Sequence, residues 1–183
     1  MRIIAGTHRG TRLKEPAQIT RPTSDRVREA IFNVLFHVVP EARILDLFAG
    51  TGALGLEALS RGANHCTFVG NDPQALRCLR NNIAHTKFPN TKLVESNALD
   101  GLAKQRFSPA YDLIFADPPY FRHGAPDLAG ELLQSPLPLL AGGFLVLEVE
   151  SERPTPEDLP NLSLIKRKDY GKTSILYFEN QGC

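Results

Sequence analysis

The chain reads as an α/β fold: a mostly parallel sheet with helices on both faces, an antiparallel strand pair at its C-terminal end, and a small hairpin and helix ahead of it. Three observations predict this. From residue 43 onward, short apolar runs alternate with segments of helical period, the signature of parallel strands joined by crossover helices. A glycine turn, Gly50-Thr51-Gly52-Ala53-Leu54-Gly55, leads from the first apolar run into the first of those helices. The last two apolar segments follow each other with no helix between them, which suits an antiparallel pair on the sheet edge.

In chain order, residues 2–4 and 11–13 flank Gly6-Thr7-His8-Arg9-Gly10, predicting a hairpin or extended arm that carries Arg2, Arg9, Arg12 and Lys14. A helix then begins near Thr23 or Ser24, either of which can cap it, with Asp25 in its first turn. Val27, Ile31, Val34, Leu35 and Val38 give it one apolar face, and Pro40 stops the pattern. Arg21, Arg26 and Arg28 fall at or near its exposed start, and Asn33 is expected as a surface or capping residue. Residues 1–40 thus form an appendage to a main domain of residues 41–183. In that domain strands are expected at 44–48, 66–69, 92–95, 112–116 and 144–149, and helices at 53–61, 73–85, 98–105 and near 126–134. The closing pair is 162–167 and 174–178.

A chain of 183 residues suits one domain and can bury a sizeable core without staples. Cys66, Cys78 and Cys183 form no paired-cysteine motif, so neither zinc nor disulfides are expected, and a reducing, cytoplasmic setting fits. The first residues are too weakly apolar for a signal peptide, and residues 132–147, the nearest approach to a membrane span, are broken by prolines and Gly142-Gly143. Net charge is only +1, yet residues 1–30 hold seven Lys or Arg against three acids. A basic end on a slightly acidic body suits either phosphate backbone or a solvated face.

In an open α/β sheet the ligand lies beyond the carboxyl ends of the strands. Four places there stand out. Phe48-Ala49-Gly50-Thr51-Gly52 is the first, with Asp46 just before it. A carboxylate at that point would repel a pyrophosphate and attract an ammonium and a sulfonium, which favours S-adenosylmethionine over a nicotinamide dinucleotide. Asp72 is the second, about twenty residues on, where it would bind a ribose diol or cap the helix that opens at Pro73. Ser96-Asn97-Ala98 is the third; the Asn97 amide would read an adenine edge or serve a turn.

The fourth place, Asp117-Pro118-Pro119-Tyr120, is the most specific feature of the chain. Two prolines stiffen the turn and remove two donors, leaving carbonyls projected from it. Asp117 and one such carbonyl can accept both N–H groups of an exocyclic amine, freeing its lone pair for a methyl group. Tyr120 offers a face for the base, worth roughly 1 to 3 kcal/mol.

Asp46-Leu47-Phe48-Ala49-Gly50-Thr51-Gly52 followed by Asp117-Pro118-Pro119-Tyr120 resembles the class I S-adenosylmethionine-dependent methyltransferases of exocyclic amines. Arg2-Ile3-Ile4-Ala5-Gly6, Arg9-Gly10, the stretch from Arg21 to Glu29, and Tyr170-Gly171-Lys172-Thr173 look more narrowly like the bacterial 16S ribosomal RNA guanine-N2 methyltransferases. The resemblance covers nearly the whole chain. It implies a Rossmann-like, seven-stranded methyltransferase fold acting as a cytoplasmic monomer. It also implies S-adenosylmethionine as cofactor, with S-adenosylhomocysteine as product, and small-subunit rRNA, free or in an assembled subunit, as substrate.

Carried over, Asp46, Gly50 and Gly52 would bind the cofactor and residues 117–120 would hold the base; from their places at the strand ends, Phe48, Ala49, Thr51, Asp72, Asn97 and Ala98 are expected beside the cofactor. Arg2, Arg9, Arg12, Arg21, Arg26 and Arg28 lie on the RNA side. One departure is Gly70, which stands where the family places an acid for the ribose. The rival readings are an adenine-N6 methyltransferase, a non-catalytic RNA-binding assembly factor and a nicotinamide dehydrogenase.

Overall fold

The structure, a computed structural model, describes residues 1–16, 24–121, 124–157 and 159–182. After helix α1 (Asp25–Val34) the chain alternates β1 (Arg43–Leu47), α2 (Ala53–Ser60), β2 (His65–Gly70), α3 (Pro73–Thr86), β3 (Thr91–Glu95), α4 (Ala98–Ala103), β4 (Tyr111–Ala116), α5 (Leu128–Leu133) and β5 (Leu139–Glu150). It closes with β6 (Leu162–Tyr170) and β7 (Thr173–Asn180). All seven strands form one sheet in the order β3-β2-β1-β4-β5-β7-β6. The first five run parallel, and β7 lies antiparallel to both β5 and β6.

Strand alternation sorts the core onto the two faces. Ile44, Phe68, Leu113, Phe115, Val146, Ile175 and Tyr177 meet α1, α2 and α3 on one face. Leu45, Leu47, Val69, Ile114, Leu145, Leu147, Leu176 and Phe178 meet α4 and α5 on the other. Helices on both faces explain why the central strands read as continuous apolar runs rather than alternating ones.

The terminal pair lies antiparallel at the sheet edge as expected, with β7, apolar on both faces, beside β5 and the more polar β6 outermost. Two expectations need adjusting. Helix α1 ends at Val34 with Leu35 as its C-cap, although Leu35 and Val39 stay buried. The second concerns Arg28, expected at an exposed helix start but fully buried. Its Nη2 donates to the Arg2 carbonyl at 2.8 Å and to Asp25 Oδ1 at 2.7 Å, and its Nη1 lies 4.0 Å from Glu57 Oε2. A guanidinium this enclosed is not available to RNA. Arg21 and Thr23 lie outside the described residues; Ser24 caps α1, accepting the Val27 N–H at 3.3 Å.

The arm closes on itself through Ile3 N–H to Thr11 O at 2.9 Å and Gly10 N–H to Ile3 O at 2.8 Å. Ile3 and Leu13 sink into the same core as β1 and β2. Buried polar groups of α2 latch it. Glu57 accepts the N–H groups of Ile4 and Ala5 at 2.7 and 3.0 Å, and Arg61 Nε at 2.7 Å. Ser60 Oγ donates to Ala5 O at 2.6 Å and accepts the His8 N–H at 3.0 Å. Gly6, at φ +82°, passes so close that a Cβ would lie 1.7 Å from the Ser60 carbonyl oxygen. Among the described residues no helix is long and apolar enough to cross a membrane.

Candidate active site

Parallel register brings the singled-out segments to one end of the sheet. Leu47 is level with Val69 on one side and Ala116 on the other, and Ala116 is level with Leu147. The residues that follow, Phe48, Gly70, Asp117 and Glu148, therefore stand in a row across four adjacent strands, the first three at the carboxyl ends of theirs and Glu148 two residues short of the end of β5, where α/β sheets bind ligands.

The glycine loop is built from unusual backbone angles. Phe48, Gly50 and Gly52 have φ of +58°, +56° and +84°, and a phenylalanine in that region is an uncommon, strained conformation of the kind that clusters at ligand sites. Ala49 N–H bonds Val69 O at 2.9 Å and Gly52 N–H bonds Ala49 O at 2.8 Å, which ties the turn to the sheet. The three glycines serve different ends. A Cβ at Gly52 would lie 2.5 Å from Leu79, and one at Gly55 would lie 2.3 Å from the Phe68 ring, so both serve packing. At Gly50 the nearest atom is the Phe48 carbonyl oxygen at 3.9 Å, so this glycine is where a ligand can approach the backbone.

Asp46 does not stand open to the crevice as expected. It is 2% exposed inside β1, and its Oδ2 accepts the Gly55 N–H at 3.0 Å, bracing strand against helix. Burial pushes its pKa up to about 7, opposed in part by the Gly55 bond. The Cys66 thiol is raised by burial and by the Asp46 charge. The case against a dinucleotide that rested on an open carboxylate is accordingly weaker. The structure also supplies a residue that sequence reasoning passed over. Asn82 of α3, 1% exposed, donates through Nδ2 to Thr51 O at 2.9 Å and Lys14 O at 3.0 Å, and accepts the Lys14 N–H at 2.7 Å. It fastens the arm and the glycine loop to one side chain.

Asp72 caps α3, accepting the Ala75 N–H at 2.7 Å, and Asn97 caps α4, accepting the N–H groups of Leu99 and Asp100 at 2.9 and 3.2 Å. Both remain exposed at the strand ends, while Ala98 is buried beside Asn97. The open face of Gly50, with these polar side chains at the ends of β2 and β3, fits a nucleoside-bearing ligand laid across the crevice.

In the turn after β4, Asp117 is half-buried, Pro118 buried and Pro119 exposed. Tyr120 is half-buried; its hydroxyl donates to Glu148 Oε1 at 3.0 Å and is hydrogen-bonded to the Thr173 hydroxyl. Burial pushes its pKa up to about 12, with the Glu148 and Asp117 charges adding and the Thr173 bond opposing. The next residue, Phe121, is 50% exposed. Arg2, Arg9, Arg12 and Arg26 are exposed. A separate cavity of about 430 Å³ opens at the opposite end of the sheet, among Pro40, Ala42, Asp112, Gly143 and Phe144, away from all these groups.

The family model described as Conserved hypothetical protein 95 matches residues 1–179. Ribosomal RNA small subunit methyltransferase D of Escherichia coli K12 is 39% identical over 182 residues, covering 99% of this chain and 90% of its own. Two solved structures share the fold over nearly full length. The Escherichia coli protein yhhF has a TM-score of 0.86 and 38% identity, covering 99% and 98% of the two chains. The Thermus thermophilus protein TTHA0928 has a TM-score of 0.80 and 36% identity, covering 98% and 99%. The glycine loop, the Asp-Pro-Pro-Tyr turn and the latched arm thus sit on a shared seven-stranded frame, and the chain belongs to the Conserved hypothetical protein 95 family, that of the small-subunit ribosomal RNA methyltransferases D.

Proposed function

We propose that this protein methylates the exocyclic N2 amino group of a guanine in small-subunit ribosomal RNA, with S-adenosylmethionine as donor. One observation carries the reading: strand register sets the glycine loop and the Asp117-Pro118-Pro119-Tyr120 turn next to each other at the carboxyl edge of the sheet. Residues 48–52, with Asp72 and Asn97, would hold the cofactor, which supplies a methyl group on a sulfonium when bound.

The chain's own residues do the rest by position. Asp117 and a carbonyl of the Pro-Pro turn accept the two N–H groups of the amine, turning its lone pair outward, while Tyr120 stacks against the base. The base must leave its stack to reach this crevice, because an amino group inside a duplex is not accessible. Holding amine and methyl donor in line is worth much of the barrier on its own. The exposed Arg2, Arg9, Arg12 and Arg26 meet phosphates and position the RNA without reading its sequence.

Methyl transfer from labelled S-adenosylmethionine into unmodified small ribosomal subunits tests this. Asp117→Ala is expected to abolish incorporation while equilibrium dialysis still detects cofactor binding. Near wild-type turnover by that variant contradicts the assigned role.

A further inference from the structure

The Tyr170-Gly171-Lys172-Thr173 segment has no part in the function described above, yet it ends on a group that touches the active-site turn. Gly171, at φ +65°, makes the tight turn between β6 and β7, and Thr173 starts β7 level with Glu150 of β5. That register delivers the Thr173 side chain, 4% exposed, to the Tyr120 hydroxyl. Two residues before Glu150 on the same strand, Glu148 is 9% exposed and accepts the Tyr120 proton at 3.0 Å. A phenol has one proton, so once it is given to Glu148 the Thr173 hydroxyl must be the donor in the second contact. Both hydrogen-bonding directions at the Tyr120 oxygen are then used, each by a different strand.

We infer that Glu148 and Thr173 are positioning residues that lock the ring plane of Tyr120, and that the hairpin after β6 carries Thr173 for this purpose. The inference rests on the reading that residues 117–120 hold the target base. An aromatic side chain on a loop turns about χ1 and χ2, and a base can stack on it productively in only a narrow range of those angles. Anchoring the hydroxyl fixes χ1, and because a phenol's hydrogen bonds lie near its ring plane, two partners on separate strands also hold χ2, which is preorganisation on rigid elements before the base arrives. Because Glu148 and Thr173 touch neither base nor cofactor in this scheme, the effect on transfer assigned to them is the one that passes through the Tyr120 oxygen.

That restriction makes the inference testable by single-turnover methyl transfer to unmodified small ribosomal subunits, with cofactor affinity measured in parallel. Thr173→Val and Glu148→Leu are each expected to slow transfer about tenfold, the size of one lost hydrogen bond with its misplacement. Cofactor affinity should stay within about twofold of wild type, since the glycine loop is untouched. Thr173→Ser and Glu148→Gln keep a donor and an acceptor and should restore most of the rate.

In a Tyr120→Phe background, neither Thr173→Val nor Glu148→Leu should slow transfer further. Full, additive losses in that background overturn the inference, because the two residues would then act elsewhere. If Tyr120→Ala slows transfer while Thr173→Val and Glu148→Leu do not, positioning fails and base holding stands. If Tyr120→Ala itself leaves the rate unchanged, the base-holding reading falls and takes the inference with it.

Discussion

The side-chain amide of Asn82 donates to the carbonyl of Thr51 at 2.9 Å from a site that is 1% exposed. The same side chain holds both backbone groups of Lys14. Removing it leaves an N–H and two carbonyls without this partner in a place with little access to water. Asn82→Leu should therefore destabilise the fold by about 2–4 kcal/mol, read from urea unfolding. It should also weaken cofactor binding, because the Gly50-Thr51-Gly52 turn loses its fastening to α3. Unchanged cofactor affinity in a folded variant would show that the turn is held without it.

The arginines of the N-terminal segment should separate into two classes. Arg9→Ala and Arg12→Ala remove exposed charges, so stability should hold while subunit binding weakens. Each should also reduce the slope of log affinity against log salt by about one. Arg28→Ala removes a buried cation from beside Asp25 and Glu57 and should cost about 3–5 kcal/mol. A stable Arg28→Ala protein with selectively weakened RNA binding would contradict the structural role assigned here.

Asp46 should leave a mark on the pH dependence of stability. Its pKa rises from 3.8 to about 7 on folding, so between those values the folded protein keeps a proton that the unfolded chain has released. Stability therefore falls as pH rises across that window, and the full cost is in place above it. Asp46→Asn retains an acceptor for the Gly55 N–H and removes the titration. Its melting temperature should exceed that of wild type at about pH 8, with a flatter profile below pH 7. Parallel profiles for the two proteins would refute the assignment.

These residues also show where the sequence was readable. Strand and helix alternation, the glycine turn and the Asp-Pro-Pro-Tyr turn are local signals, and local signals survive into the fold. Burial of Arg28 was not readable, because only Asp25 among its partners is local, while Arg2 and Glu57 come from far along the chain. The same holds for Asn82, Glu148 and Thr173, polar residues whose helical or strand spacing resembles a solvent face. Glu57 did carry a clue: it is the one charge in α2, ALGLEALS, and a helix apolar all round is buried, so that carboxylate had to have partners. The position of β7 beside β5 was likewise masked, since an antiparallel pair can enter a sheet by either strand. Only the greater apolarity of 173–180 over 162–170 distinguished them.

The most direct measurement is the identity of the methylated nucleoside. Tritiated S-adenosylmethionine is incubated with the protein and with small ribosomal subunits from cells lacking this activity; the rRNA is then digested and the labelled nucleoside identified. The account predicts label in N2-methylguanosine, and none when Asp117→Ala replaces the wild-type protein. Label in N6-methyladenosine would keep the fold and cofactor but contradict the proposed reaction. Absence of label from both subunits and naked rRNA, with cofactor bound, would contradict the enzymatic reading itself.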